Sequence, residues 1–397
     1  MKMELPSPVL HSLFMLNEAG YEAFVVGGCV RDALMGTAPS DWDITTSALP
    51  EETLAVFADF RTIETGIKHG TVTVIVEDVP LEITTYRIDG TYSDGRHPDA
   101  VAFSRSIRED LKRRDFTVNA MAYHPKTGLV DPFCGRLDLK KHVIRCVGKP
   151  KRRFSEDALR ILRGLRFSTT LGFSIHPATA KAIHRLGHTL TCVSAERNAA
   201  EFCKLICGKD AETILNDYAD VLSYVLSDVD YREASKAVGA VPSGITDRLT
   251  TLLLHLSPDA AETACGKLCM SKKITDDVTT LVRNWQLPIN ATRRCVLQTL
   301  HALGPQLTNT FICLKKTIEH TNVDGFQAEW SRLIEANDCC YQIQDLALNG
   351  ADLMASGIPH GPKIGLTLNH LLTAVMDGAC PNEKEQLLKY ATKKPVQ

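Results

Sequence analysis

The sequence predicts an α+β fold in which a mixed sheet with helices fills the first 150 residues and helices alone make up the rest. Short β-branched runs alternate with short helical patterns as far as Pro150, and beyond it the apolar spacing is helical almost to the end. At 397 residues, 44% of them hydrophobic and 6% aromatic, the chain is long enough for several packed units of a helix-rich globular protein.

The expected strands are residues 22–26, 42–45, 71–76, 81–86 and 101–103, each bounded by Gly, Pro or Asp. Runs 71–76 and 81–86 are separated by 77–80, which reads as a hairpin. Expected helices follow at 155–171, 177–186 and 195–207, then shorter amphipathic stretches. Breaks at 208–210, 241–244 and 287–290 mark joints, and the Gly- and Pro-rich stretch 357–365 leads into a helix at 366–376. The resulting division is 1–150, 151–210, 211–335 and 336–397.

Composition excludes several classes. No apolar run approaches the length of a membrane span, and the first twenty residues lack the basic-then-apolar order of an export signal, so a cytoplasmic protein is expected. Thirteen cysteines are scattered without a CxxC pair, which argues for reduced thiols rather than a zinc site or a disulfide framework. The pairs Cys203 with Cys207 and Cys265 with Cys269 sit among apolar residues and read as buried thiols. A formal charge of −2 gives no global basic field, so any RNA contact must be local. The candidate is Lys140 to Arg153, with seven Lys or Arg in fourteen residues.

The chemistry concentrates near the start. Val25-Val26-Gly27-Gly28-Cys29-Val30-Arg31-Asp32 ends a strand at two glycines and begins a helix, which lets backbone N–H groups approach a phosphate closely while Arg31 adds charge. Asp41-Trp42-Asp43 follows. In a strand its two carboxylates share a face, and a divalent cation between them would keep both ionised. Glu82, alternating with apolar neighbours, is a candidate third carboxylate. Such a cluster suits in-line phosphoryl transfer.

The order Gly-Gly, DxD strand, carboxylate strand resembles the polymerase β type nucleotidyltransferases. Three further motifs narrow the resemblance. Arg113-Arg114-Asp115-Phe116-Thr117-Val118-Asn119-Ala120 is similar to the ribose-binding motif of class II tRNA nucleotidyltransferases and bacterial poly(A) polymerases. Asp131-Pro132-Phe133-Cys134-Gly135-Arg136-Leu137-Asp138-Leu139 resembles their head-to-neck link, and Glu156-Asp157-Ala158-Leu159-Arg160 their nucleotide-selecting motif.

That last motif also has a logic of its own. Asp157 and Arg160, three apart on an expected helix, pair an acceptor with a donor. Cytosine and adenine offer an amino group beside a ring acceptor; uracil and guanine offer the reverse. Arg163 and Arg166 continue the series at three-residue steps, from base toward triphosphate. The plain alternative is a surface salt bridge.

The resemblance implies a nucleotidyltransferase head, then a helical neck, body and tail. It implies template-independent addition of CCA to the 3′ end of tRNA from CTP and ATP. Asp41, Asp43 and Glu82 would be catalytic, with Mg2+ on Asp41 and Asp43. Gly28, Arg31, Arg114, Asp115, Asn119, Asp157, Arg160, Arg163 and Arg166 would bind nucleotide. Residues 86–98 resemble the loop that helps convert the pocket from C to A addition, with a plain hairpin as the alternative. Glu196-Arg197-Asn198-Ala199-Ala200-Glu201 resembles the neck-helix motif, whose charges would otherwise serve only to stabilise that helix. Leu348-Asn349-Gly350-Ala351-Asp352-Leu353 is similar to the tail that holds the tRNA elbow. Alternatives are a poly(A) polymerase, a partial CC- or A-adding enzyme, or a non-catalytic RNA-binding relative. No membrane partner is expected, and the sequence leaves a homodimer open.

Two further readings fall away. No His-Asp dipeptide occurs, so a fused phosphohydrolase domain has no counterpart, and GGCVRD lacks the third glycine of a dinucleotide fold.

Overall fold

The computed structural model describes residues 3–89 and 101–393, which form two compact units, Met1–Ser235 and Lys236–Gln397. In the first, strands β1 (Ala23–Val26), β2 (Asp43–Thr46), β3 (Arg61–Ile63), β4 (Thr71–Val76), β5 (Val79–Thr85), β6 (Arg87–Asp89), β7 (Val101–Phe103), β8 (Ala122–His124) and β9 (Gly128–Val130) alternate with helices. These helices are α1 (Ser7–Glu18), α2 (Gly28–Leu34), α3 (Pro50–Val56), α4 (Ile107–Lys112) and α5 (Gly135–Lys140). A mixed sheet runs in the order β3-β4-β5-β2-β1-β8-β9, with β2 and β5 parallel and the other neighbours antiparallel.

The alternation in Thr71-Val72-Thr73-Val74-Ile75-Val76 explains the sheet's sidedness, since Val72, Val74 and Val76 are buried and the residues between them only half so. β1 is buried throughout, because α1 covers one face with Val9, Leu13 and Leu16 while Tyr86, Leu111 and Ala122 pack with Phe24 and Val26. The expected hairpin forms with a turn at Glu77 and Asp78, both left-handed (φ 51° and 63°), the two-residue geometry that matches strand twist. Strands β3, β6, β8 and β9, absent from the sequence-based expectation, are three residues each and too short for a period to show. Of the expected loop, residues 90–98 lie outside the described residues; on either side of the gap β6 and β7 pair antiparallel.

Helices α6 (Pro150–Glu156), α7 (Leu159–Leu171), α8 (Pro177–Leu186) and α9 (Ala195–Ile206) follow. The expected continuous helix at 155–171 is broken. Asp157 is extended (φ −147°, ψ 108°), so Asp157 and Arg160 do not share one helix as the three-residue spacing had suggested. Asp138 on α5, buried, accepts from the Thr117 hydroxyl (2.7 Å) and Arg145 Nε (3.0 Å), tying the two motifs on either side of β8 and β9 together.

The second unit is helical. Its core gathers on the kinked helix Arg293–Ile318, where Gly304 (φ 69°) and Pro305 interrupt the spiral, and on Pro362–Met376. Asn349 caps Gly350–Ala355 by accepting from the Ala351 and Asp352 amides. No disulfide joins any of the thirteen cysteines. Among the described residues no helix is long and apolar enough to cross a membrane.

Candidate active site

β1 gives way to Gly27, whose φ of +85° favours a residue without a side chain; a Cβ there would lie 2.9 Å from Arg114 Nη1, so Arg114 would have to shift. The chain then enters α2, β2 leaves beside it, and a cavity of about 550 Å³ opens between these ends and α7. Gly28, Arg31, Asp41, Asp43, Arg114, Asp115, Asn119, Asp157, Arg160, Arg163 and Arg166 all line it. Asp32, Ser40, Arg113 and Phe167 complete the wall.

The carboxylate end differs from expectation in two ways. β2 begins only at Asp43, so Asp41 precedes the strand rather than sharing its pleat, and Ser40 Oγ donates to its Oδ1 (3.0 Å). Glu82 stands opposite Asp43 in the parallel β2–β5 register but does not line the cavity, and no cluster of three potential metal ligands forms among the described residues. The carboxylates still feel one another. Desolvation first, then Asp41, then Glu82 push the Asp43 carboxyl up to about 6, with Arg114 opposing.

The arginines are held by named partners. Arg31 donates from Nη1 to Asn119 Oδ1 (2.7 Å) and from Nε to Asp32 Oδ1 (2.8 Å). Asp110, on α4 and fully buried, takes Arg113 at 2.8 Å and Arg114 at 3.5 Å. Arg163 meets Asp115 Oδ2 through Nε (2.9 Å) and Nη2 (2.7 Å). Burial alone would raise the Asp115 carboxyl, but Arg163 and then Arg160 hold it below the usual carboxylate range. Asp115 also accepts from the Phe116 amide (2.8 Å), which makes it an anchor of the pocket wall rather than an open ligand site.

Asp157 and Arg160 are each braced by several partners. Arg160 donates to Glu156 Oε2 (2.8 Å) and to the carbonyls of Arg153 (3.2 Å) and Arg113 (3.1 Å). Asp157 accepts from the Leu159 amide through Oδ1 (3.1 Å) and from Arg197 Nη2 through Oδ2 (3.0 Å). Glu201 Oε2 lies 2.6 Å from Arg166 Nε, and its Oε1 is 3.6 Å from Arg163. Arg197 and Glu201 therefore reach beyond α9 to the site, and their role is not confined to stabilising their own helix. Their i, i+4 spacing was the legible signal; the direction in which that face of α9 points, onto α7, was not. In the basic stretch, Arg153 is buried on Glu156 (2.7 Å), whereas Arg152 is exposed.

The chain is similar to known proteins along its length. Residues 23–145 match the model of the poly A polymerase head domain, 172–221 that of an RNA and SrmB-binding site of polymerase A, and 245–391 that of tRNA nucleotidyltransferase domain 2. The chain is 36% identical over 400 residues to a CCA-adding enzyme of Lacticaseibacillus paracasei, covering 99% of this chain and 98% of that one. It is 35% identical over 410 residues to a CCA-adding enzyme of Streptococcus suis, covering 97% of each. The solved CCA-adding enzyme of Bacillus stearothermophilus in complex with CTP superposes with a TM-score of 0.83 at 30% identity over 98% of both chains. A Thermotoga maritima CCA-adding enzyme complexed with tRNA shares the fold at 20% identity, covering 98% of this chain and 97% of that one, with a TM-score of 0.69.

Proposed function

The chain belongs to the CCA-adding enzymes, the tRNA nucleotidyltransferases that complete the tRNA 3′ end, and from that premise we propose how its own residues select and join nucleotides. The observation that carries the reading is that one cavity is lined together by the Asp41 and Asp43 carboxylates, by Asp157 and Arg160, and by Arg31, Arg114, Arg163 and Arg166.

A CTP or ATP base set against Asp157 and Arg160 gives its amino hydrogen to the carboxylate and takes a hydrogen bond on its ring nitrogen from the guanidinium. Uracil or guanine would face acceptor with acceptor and donor with donor. Arg31, Arg163 and Arg166 draw the triphosphate, and Arg114, pressed against Gly27, lies where phosphate and ribose meet. Asn119 orients Arg31 and accepts its Nη1 hydrogen. Asp115 holds Arg163 in place.

The family uses a divalent metal, and we assign Mg2+ to Asp41 and Asp43. Two hard carboxylates in one cavity fit such an ion, and the upward displacement of Asp43 by desolvation, Asp41 and Glu82 is the repulsion that a cation relieves. When bound, the metal lowers the pKa of a 3′-hydroxyl and stabilises charge on the leaving diphosphate. Glu82, beside Asp43 on β5, adds negative charge from outside the cavity wall. The tRNA 3′-oxygen attacks the α-phosphorus, a new phosphodiester forms, the bond to the β-phosphate oxygen breaks, and diphosphate leaves. Residues 1–150 supply this chemistry and 151–210 the nucleotide choice; 211–335 form a helical body, and 336–397, with the capped helix after Asn349, are assigned to tRNA binding. The compartment is the cytoplasm.

The test offers a tRNA lacking its CCA end to each nucleotide singly and then together. CTP is incorporated first and ATP only after two C residues, and Asp41→Ala or Asp43→Ala abolishes both. A long A tail, or activity that survives both substitutions, would overturn the reading.

A further inference from the structure

Phe167 follows the arginine row directly in sequence, and we propose that its ring is a positioning platform that gathers Arg31, Arg163 and Arg166 into a cradle for the triphosphate. The guanidinium carbons of Arg166, Arg163 and Arg31 lie 4.0, 5.3 and 5.4 Å from the ring centroid. Three like charges around one point repel, and the negative face of an aromatic ring attracts each of them. Carboxylates hold these arginines too, but each carboxylate cancels a positive charge that a polyanion would otherwise feel. The ring attracts without carrying net charge, so it concentrates cations and leaves their field available.

The ring is itself fixed. Phe116, fully buried, meets it edge to face at 5.9 Å and 78°. Phe116 in turn packs on Gly164, one turn earlier on α7, where an added Cβ would come within 2.9 Å of the Phe116 ring. Arg31 comes from α2 and the other two from α7, so the ring joins arginines of separate elements at one place. Phe167 is only 7% exposed, yet it lines the cavity.

A triphosphate platform is blind to the base. It acts equally on CTP and ATP, and it acts on KM more than on kcat, because the ring touches the arginines and not the reacting atoms. The inference rests on the nucleotide-binding role proposed above for these arginines.

The test introduces mono-, di- and trifluorinated phenylalanine at position 167 of the full chain, which drains the ring face of electron density at nearly constant shape. F167L is made beside them. KM for CTP and for ATP should rise together and stepwise with fluorination, reaching on the order of three- to tenfold in F167L. Melting temperature of the fluorinated proteins and the choice of CTP over UTP should stay as in the unmodified protein. R166A is measured in parallel. If R166A raises both KM values while the trifluorinated protein keeps the unmodified KM, the platform fails and the site reading stands. If R166A changes neither KM, the triphosphate does not lie on these arginines and both fail. A rise confined to one base also overturns the platform.

Discussion

Replacing Asp43 by Asn should make the metal-free protein more stable while abolishing its activity. Asp43 sits where desolvation and the neighbouring Asp41 and Glu82 carboxylates raise its pKa from the ordinary 3.8 to about 6. A group whose folded pKa is raised stabilises the fold fully below the unfolded value and loses that contribution as pH rises through the folded one. At pH 8 the ionised Asp43 is therefore a burden on the metal-free fold. At ~1.4 kcal/mol per pH unit the ceiling is about 3 kcal/mol. Asp43 faces an open cavity, however, and water screens it, which leaves about 1 kcal/mol. For a unit of this size that is a rise of about 2–4 °C in melting temperature. The assay is thermal unfolding of both proteins in chelator, from pH 8 to pH 4. The advantage of Asn should be greatest at pH 8, fade as pH falls through 6, and vanish near 4, where the wild-type carboxyl holds its own proton. Adding Mg2+ should raise the melting temperature of the wild type and not of the variant. A variant no more stable than wild type at pH 8, or an advantage that persists unchanged at pH 4, would refute the account of a repelling carboxylate cluster.

Arg197→Ala frees one oxygen of Asp157 from its brace, and it should cost about tenfold in kcat/KM for CTP while raising incorporation of UTP, measured by single-nucleotide extension; unchanged selectivity would show that Arg197 does not position Asp157. Asp115→Asn strips Arg163 of its buried partner and should destabilise the fold by about 3 kcal/mol at neutral pH in urea unfolding. Because the Asp115 carboxyl is held low, the wild type keeps this contribution above pH 3.8 and loses it as pH falls further, so the two proteins should converge in acid. Neutralising Lys149, Lys151 and exposed Arg152 should flatten the salt dependence of tRNA binding by roughly 0.7–0.9 for each phosphate contact removed; an unchanged slope would place those contacts elsewhere.

Sequence alone went far toward both the fold and the site wherever the signal was local. Strand 71–76 and helix 177–186 matched residue for residue, because alternation and Pro177 at a helix start are decided by near neighbours. The Gly27-Gly28 turn, the Asp41 and Asp43 pair and the arginine series each follow from a few adjacent residues, and the cavity collects them. What near neighbours could not decide was direction. The break at Asp157, which turns its side chain toward Arg197 on a helix forty residues away, depends on α7 and α9 packing together. The same packing brings Glu201 to Arg166, and that of α6 buries Arg153. The pairing of Glu82 with Asp43 depends on the register of β5 against β2. A charge pattern in a chain states which partners are chemically suitable, but several are suitable at once, and only the burial of apolar faces against each other determines which of them meet.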